Sequence, residues 1–411
     1  MTKPAMPKHC ELNYFPTEGQ HLLAGGQRVE DIVDRAGTPT YVYDRELITR
    51  RVKLLRDILP EQIRLHYAVK ANPMPALMQH LSTLVEGFDV ASQGEMRSAL
   101  ATNMTPDNIS FTGPGKGNDE LMTAIDAGVI INLESETEMQ RVVKLAEIVG
   151  RRPQVMVRVN PDFELKASGL RMGGGAKQFG TDAEQIPALL KKLGALDLAF
   201  VGFHIFSGSQ NLRAEAIVES QNASLQLAIQ LADDAPSEIR LLNLGGGFGI
   251  PYFPGDQPLD LSSIGENLNN LCDLANKSLP VTKLALELGR YLVGEAGIYV
   301  CRVIEKKVSR GQTFLVTDGG MHQNLAASGN LGQVVRKNYP VVIGNNMTGP
   351  EKEVVTIVGR LCTPLDLLAD KMELSKAEVD DLVVILQSGA YGYSASPLHF
   401  LGHPPPTEIL V

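Results

Sequence analysis

The sequence predicts an α/β protein made of a closed (β/α)8 barrel and a C-terminal β-rich domain, and three observations carry that expectation. Short β-branched or alternating runs recur with helix-period segments between them, eight such runs precede Arg290, and beyond Arg290 the helical periodicity gives way to strands and turns.

In chain order the eight runs are Leu65–Lys70, Phe88–Ser92, Ile109–Thr112, Ile130–Glu134, Val155–Asn160, Val201–Phe206, Leu241–Gly245 and Leu284–Leu288. Apolar residues at i, i+3 and i+4 mark helices over Pro75–Leu84, Glu95–Thr102, Asp119–Ala127, Glu136–Val149, Glu184–Leu193, Ala214–Ala235 and Ile264–Lys277. Strict alternation calls for a parallel sheet, and eight repeats match the ~250 residues usual for a barrel, so the count favours closure over an open doubly wound sheet. After the barrel, Ile298–Lys306, Thr313–Thr317, Val354–Val358 and Leu382–Leu386 read as strands and Lys371–Val379 as a helix. An earlier strand, Pro39–Tyr43, is expected to pair with them. The expected organisation is an N-terminal segment 1–44 joined to the C-terminal β domain, a barrel 45–290 and a β domain 291–411.

Composition excludes several function classes. The 38 basic and 47 acidic residues give a net charge of −9 with no basic stripe, so nucleic acid is not an expected partner. No apolar run reaches the ~18 residues of a membrane span, so no membrane role is expected. Cys10, Cys272, Cys301 and Cys362 form no C-x-x-C pair and the start of the chain lacks an apolar secretory core, which reads as a reduced, cytoplasmic setting. His399 and His403 have i,i+4 spacing, but Pro397 and Pro404 to Pro406 break any helix that would align them, so no metal site is read there.

Reactive residues of such barrels lie at the C-terminal ends of strands. Those ends supply Lys70, Asp89 with Ser92, Arg158, His204, the glycines Gly245, Gly246 and Gly247, and Glu287 with Arg290. Lys70 closes an apolar strand, where an amine that loses water becomes nucleophilic and suited to Schiff-base chemistry, although taken alone it equally reads as a snorkelling surface charge. The glycine run exposes backbone N–H groups that suit a phosphate or simply make a tight turn, and it is no dinucleotide fingerprint because Pro251-Tyr-Phe-Pro254 follows in place of a helix. Arg290 can add a charge-assisted fork. Cys362 is a candidate proton donor or a buried structural thiol, and Tyr391, in a Gly-rich turn, a phosphate donor or a core cap.

In combination, Tyr67-Ala-Val-Lys70-Ala-Asn72, Phe88-Asp-Val-Ala-Ser92, Arg158-Val-Asn-Pro161, Phe203-His204-Ile-Phe-Ser207-Gly208, Gly245-Gly-Gly247-Phe, Glu287-Leu-Gly289-Arg290 and Gly389-Ala-Tyr391-Gly resemble the fold-type III pyridoxal-5′-phosphate (PLP) decarboxylases, the ornithine/diaminopimelate decarboxylase family with an alanine-racemase-like barrel. The likeness runs from about Thr38 to Val411. It implies an amino-acid decarboxylase in which Lys70 holds PLP as a Schiff base, His204 stacks on the pyridine ring and Glu287 pairs with the ring nitrogen. It also implies that Ser207, Gly245, Gly246, Gly247, Gly289, Arg290 and Tyr391 hold the phosphate, with Asp89, Glu95 and Arg158 around the lysine. A homodimer with shared active sites is implied too, in which Cys362 reaches the partner's cofactor to protonate the product, with Asp366 nearby.

One departure bears on substrate. Relatives of the ornithine and diaminopimelate types carry Asp or Glu after the catalytic Cys, whereas Thr363 stands here, and a neutral residue does not compensate a desolvated distal ammonium. Gly320-Met-His322-Gln, Asn338-Tyr339-Pro340 and Leu361-Cys-Thr-Pro364 look nearer to the subgroup of butirosin-type L-glutamyl-carrier-protein decarboxylase and of exosortase- or siderophore-associated decarboxylases. The substrate expected is therefore a conjugated or carrier-protein-tethered α-amino acid, with His322, Arg336, Tyr339, Thr363 and Asp366 on the substrate side. The alternatives are a free small-molecule diamino acid, chiefly meso-diaminopimelate, and a catalytically silent binding protein on the same fold. Joint retention of Lys70, Glu287, Arg290 and Cys362 speaks against the silent one.

Overall fold

In the computed structural model, which describes residues 8–12, 14–164, 170–171 and 173–411, the chain forms two compact units. One comprises Arg51–Gly249 and Pro258–Gly289, the other Met1–Arg50, Ile250–Gln257 and Arg290–Val411.

The first unit is the barrel. Strands Arg64–Ala68, Gly87–Val90, Ile109–Phe111, Ile130–Leu133, Gln154–Asn160, Ala199–Ile205, Leu241–Gly246 and Lys283–Leu288 pair in parallel in chain order, and the last returns to the first, which closes the sheet. The burial that makes these runs nearly continuously apolar comes from helices outside and packed side chains inside, among them Ile130, Met156, Val201, Leu241 and Ala285. Helix starts follow local chemistry. Ser92 and Ser135 each accept, through Oγ, the amide of the residue three positions on (Glu95 and Glu138), and Gly128 and Gly150 end their helices with left-handed φ of 82° and 74°.

The second unit holds an eight-stranded sheet. Gly297–Ser309 runs antiparallel to Gln312–Thr317, Leu382–Ile385 and Thr40–Tyr43, and Thr407–Leu410 lies parallel to Thr40–Tyr43. The early strand thus joins the late ones, as the sequence predicts. Its core gathers Phe15, Leu22, Ile32, Val42, Ile298, Val300, Leu382 and Val384. Gln323 knots this unit: its carbonyl accepts from Tyr41 at 2.6 Å, its Oε1 from Tyr299 at 2.7 Å, and its Nε2 donates to Pro404 O at 2.9 Å.

Two expectations change. The helix read over Lys371–Val379 is instead the end of a strand, Leu367–Ser375, antiparallel to Lys352–Val358. Lys371 has a φ of 50°, which no α-helix accommodates, and ladder pairing outweighs local propensity. The first barrel strand stops at Ala68, because Asn72 N bonds Val69 O at 3.0 Å and places Lys70 in a tight 3₁₀ turn. Helices Val29–Ala36 and Arg45–Ile58 were not separated out, although Asp44 caps the second by accepting Leu47 N at 3.1 Å.

Two predictions follow from packing. A Cβ on Gly202, whose φ is 154°, would lie 1.8 Å from Leu241 O on the adjacent strand. Gly202→Ala should therefore destabilise the protein by about 2–4 kcal/mol in chemical denaturation, and a loss below ~0.5 kcal/mol would contradict so close an approach. His322 is fully buried in the second unit, with no partner for either ring nitrogen, and burial, His403 and Arg360 push its pKa down to about 4. An unfolded histidine titrates near ~6.5, so between about 4 and 6.5 the unfolded chain binds the extra proton and stability falls as pH falls through that window. The denaturant midpoint should drop from pH 7 to pH 5, and His322→Gln should remove part of that drop; equal drops in both proteins would refute the assignment.

Candidate active site

In the barrel, Glu287 closes on two neighbours. It sits one residue before the end of the eighth strand and is buried. Its Oε2 lies 3.0 Å from His204 Nε2 at the end of the sixth strand, and its Oε1 lies 3.6 Å from Lys70 Nζ just beyond the first. Burial alone would raise the carboxyl pKa, but Lys70, His204 and Arg158 outweigh it and hold Glu287 well below the usual carboxylate range. It is an anion throughout the range of ordinary assays. His204 is also buried, while the Lys70 side chain is 40% exposed and its ammonium lies 5.4 Å from the centre of the Phe206 ring. A strongly based anion, an oriented imidazole and a reachable amine thus meet at the C-terminal mouth.

Around them the other expected residues fall into place by strand. Asp89 accepts the Ser110 hydroxyl through Oδ1, and its Oδ2 is 3.4 Å from His66 Nδ1, too long for a good hydrogen bond. Glu95 accepts Ala91 N at 2.7 Å, so with Ser92 it is committed to starting a helix. Arg158 donates to Glu134 at 2.8 Å and lies over the Phe179 ring at 4.8 Å.

Glu134 was not singled out from sequence, yet it also receives Gly113 N at 2.8 Å and Gly180 N at 2.7 Å, tying three loops of the rim. Its signal was positional: a carboxylate closing an apolar strand. Behind it the buried Lys116 bonds Glu138 at 2.8 Å.

Ser207 is buried and its Oγ accepts from Ser220 at 3.2 Å. Gly245 and Gly247 have φ of 70° and 80°, left-handed backbone that favours glycine, and Gly245 N donates to Asn243 Oδ1 at 2.8 Å. A Cβ on Gly246 would stand 2.0 Å from Glu287 O and one on Gly289 2.9 Å from Ala71 Cβ, so packing also requires these glycines. Buried polar atoms without hydrogen-bond partners include His204 Nδ1 on the sixth strand, both His66 nitrogens on the first and Asp89 Oδ2 on the second. With the reachable Lys70 amine, this set fits a polar ring compound held by that amine.

The second unit carries the rest. The Arg290 guanidinium lies 4.6 Å from the Tyr391 ring centre, and Tyr391 has a φ of 55°. Cys362 is an exposed free thiol, and Thr363 Oγ1 accepts Leu365 N at 3.3 Å. Asp366 is buried with one oxygen on Met321 N (2.7 Å) and the other on Leu361 N (2.8 Å), and burial raises its pKa. Arg336 spends its donors on Ser328 O, Asn338 Oδ1 and Leu367 O. Tyr339 is buried against Tyr252, and His322 lies 5.4 Å from the His403 ring. The structure therefore gathers Lys70, His204 and Glu287, and it commits Asp366 and Arg336 to shaping their own loops. Among the described residues no cluster of His, Cys, Asp or Glu could hold a metal ion, and no helix is long and apolar enough to cross a membrane.

Comparison with known proteins bears on the same residues. Residues 45–294 match the family described as pyridoxal-dependent decarboxylase, pyridoxal binding domain. The chain is 36% identical to the L-glutamyl-[BtrI acyl-carrier protein] decarboxylase of Niallia circulans, covering 92% of this chain and 90% of that one. It is 30% identical to the 2-[(L-alanin-3-ylcarbamoyl)methyl]-2-hydroxybutanedioate decarboxylase of Staphylococcus aureus, covering 90% and 93%. The diaminopimelate decarboxylase of M. jannaschii, solved with L-lysine, superposes with a TM-score of 0.87 at 26% identity, covering 97% and 93%. With the barrel, the β domain and the Lys70–Glu287–His204 cluster in place, this chain belongs to the pyridoxal-dependent amino-acid decarboxylases, and PLP is its cofactor.

Proposed function

We propose that this enzyme removes the α-carboxylate of an amino acid already joined to a larger acyl or carrier unit, such as a glutamyl group on a carrier protein. The observation that carries the reading is the neutral Thr363 beside the exposed Cys362, where no carboxylate is offered to a free distal ammonium. Two of the relatives described above support it, because their names specify conjugated substrates.

Lys70 would hold PLP through its amine, with Ser207, Gly245, Gly246, Gly247, Gly289, Arg290 and Tyr391 holding the phosphate, and bound PLP supplies an electron sink for loss of CO₂. Glu287 keeps its charge and so favours a proton on whatever nitrogen it faces, and His204 is oriented by the same carboxylate. Arg158, braced by Glu134, supplies positive charge that helps hold Glu287 ionised, while Asp89 and Glu95 complete the surroundings of the lysine. Departure of CO₂ leaves an electron pair on substrate Cα, and Cys362 Sγ is the acid assigned to deliver a proton there, from a partner subunit of a homodimer. Four free cysteines fit a cytoplasmic setting.

The second reading is decarboxylation of free meso-diaminopimelate, favoured by the likeness to the M. jannaschii structure. Incubating the holoenzyme with glutamyl-loaded carrier protein and with free diaminopimelate, and following CO₂, separates the two; turnover of free diaminopimelate alone would overturn the proposal. Lys70→Ala should abolish turnover and the visible absorbance of lysine-bound cofactor. Cys362→Ala should lower kcat by about 10²–10⁴-fold, the range for loss of a general acid, with the cofactor spectrum intact.

A further inference from the structure

Arg290 is held by Tyr252, a buried tyrosine outside the phosphate-holding set named above, and a second such tyrosine, Tyr339, lies behind it. Its Nη1 donates to the Tyr252 hydroxyl at 3.0 Å, and its guanidinium also lies 5.4 Å from the Tyr252 ring centre, opposite a 4.6 Å contact with Tyr391. Tyr339 packs on Tyr252 with ring centres 4.6 Å apart. We propose that Tyr252 and Tyr339 are positioning residues for Arg290, a relay in which the Tyr339 ring holds Tyr252 and the Tyr252 hydroxyl fixes the guanidinium for the phosphate of PLP. The inference rests on the reading of Arg290 as a phosphate residue.

The choice of a phenol is what gives the arrangement meaning. A buried guanidinium needs acceptors for its five N–H donors, and a carboxylate would meet that need while cancelling the charge that a phosphate dianion requires. A phenol accepts one N–H and leaves the charge whole. Burial raises the pKa of both tyrosines, so neither becomes a competing anion near neutral pH.

The relay is itself anchored. Asn338 receives Arg336 at 2.7 Å and Asp370 N at 2.9 Å, and the carbonyl of Pro340 receives Leu386 N at 2.9 Å, so Tyr339 is clamped on both sides.

The test uses full-length protein purified as holoenzyme, stripped of cofactor and retitrated by fluorescence with PLP and, separately, with pyridoxal, which lacks the phosphate. Tyr252→Phe should weaken PLP about tenfold, the effect of losing one hydrogen bond to a charged group, and Tyr339→Leu, which removes the ring packed on Tyr252, about threefold, with pyridoxal affinity unchanged. Unchanged PLP affinity in both variants, or equal losses for PLP and pyridoxal, would overturn the relay. Arg290→Lys separates the two levels of the argument. If it keeps the full preference for PLP over pyridoxal, the reading of Arg290 fails; if it loses the preference while the tyrosine variants match wild type, the relay alone fails. Should Tyr252→Phe not fold, Tyr339→Leu carries the same comparison.

Discussion

A carboxylate buried at the mouth of a barrel has to be compensated, and Glu287 sets the terms for everything around it. Taking such an anion out of water costs several kcal/mol, so it persists only where partners return that energy. Here they are His204 on one oxygen and Lys70 on the other. Each comes from a different strand, so the pairing holds only in a closed barrel whose sixth, eighth and first strands are in the observed register. Chemistry and fold are thereby coupled: the register that buries Glu287 also brings the amine within 3.6 Å of it.

Much of this was legible in the sequence because the barrel repeats a simple rule. Each strand is a short apolar run and each helix an amphipathic one, so hydrophobic period alone locates them to within a few residues. The end of the first strand was less legible, since Lys70 continues an apolar run and only the turn closed by Asn72 and Val69 shows where the ladder stops. Leu367–Ser375 misled for the opposite reason. Its spacing suits a helix, and what decides it is a neighbouring strand far along the chain, Lys352–Val358, which no local pattern reveals.

The site divides in the same way. Lys70, His204, Glu287 and the glycine run announced themselves by position at strand ends. Glu134 did not, because its importance lies in three donors from three separate loops. Asp366 and Arg336 are recognition groups by residue type, and each already bonds nearby groups, Asp366 the amides of Met321 and Leu361 and Arg336 two carbonyls and Asn338. Residue type states what a side chain is able to do, and only the inventory of its neighbours states what it is left free to do.

The pairing of Thr40–Tyr43 with Thr407–Leu410 has a consequence during synthesis. These strands are bonded across 367 residues, so although Gly297–Ser309 reaches one edge of the early strand sooner, the other edge waits for Thr407–Leu410 to emerge from the ribosome. At ~5–20 residues per second that delay is roughly 20–70 s. For that interval one edge of an apolar strand, Thr-Tyr-Val-Tyr, is available to neighbouring nascent chains while the barrel residues that follow it are already free to fold. Vectorial production therefore exposes the β-rich unit, rather than the catalytic barrel, to mispairing, and the demand for chaperone protection should fall on its early strand.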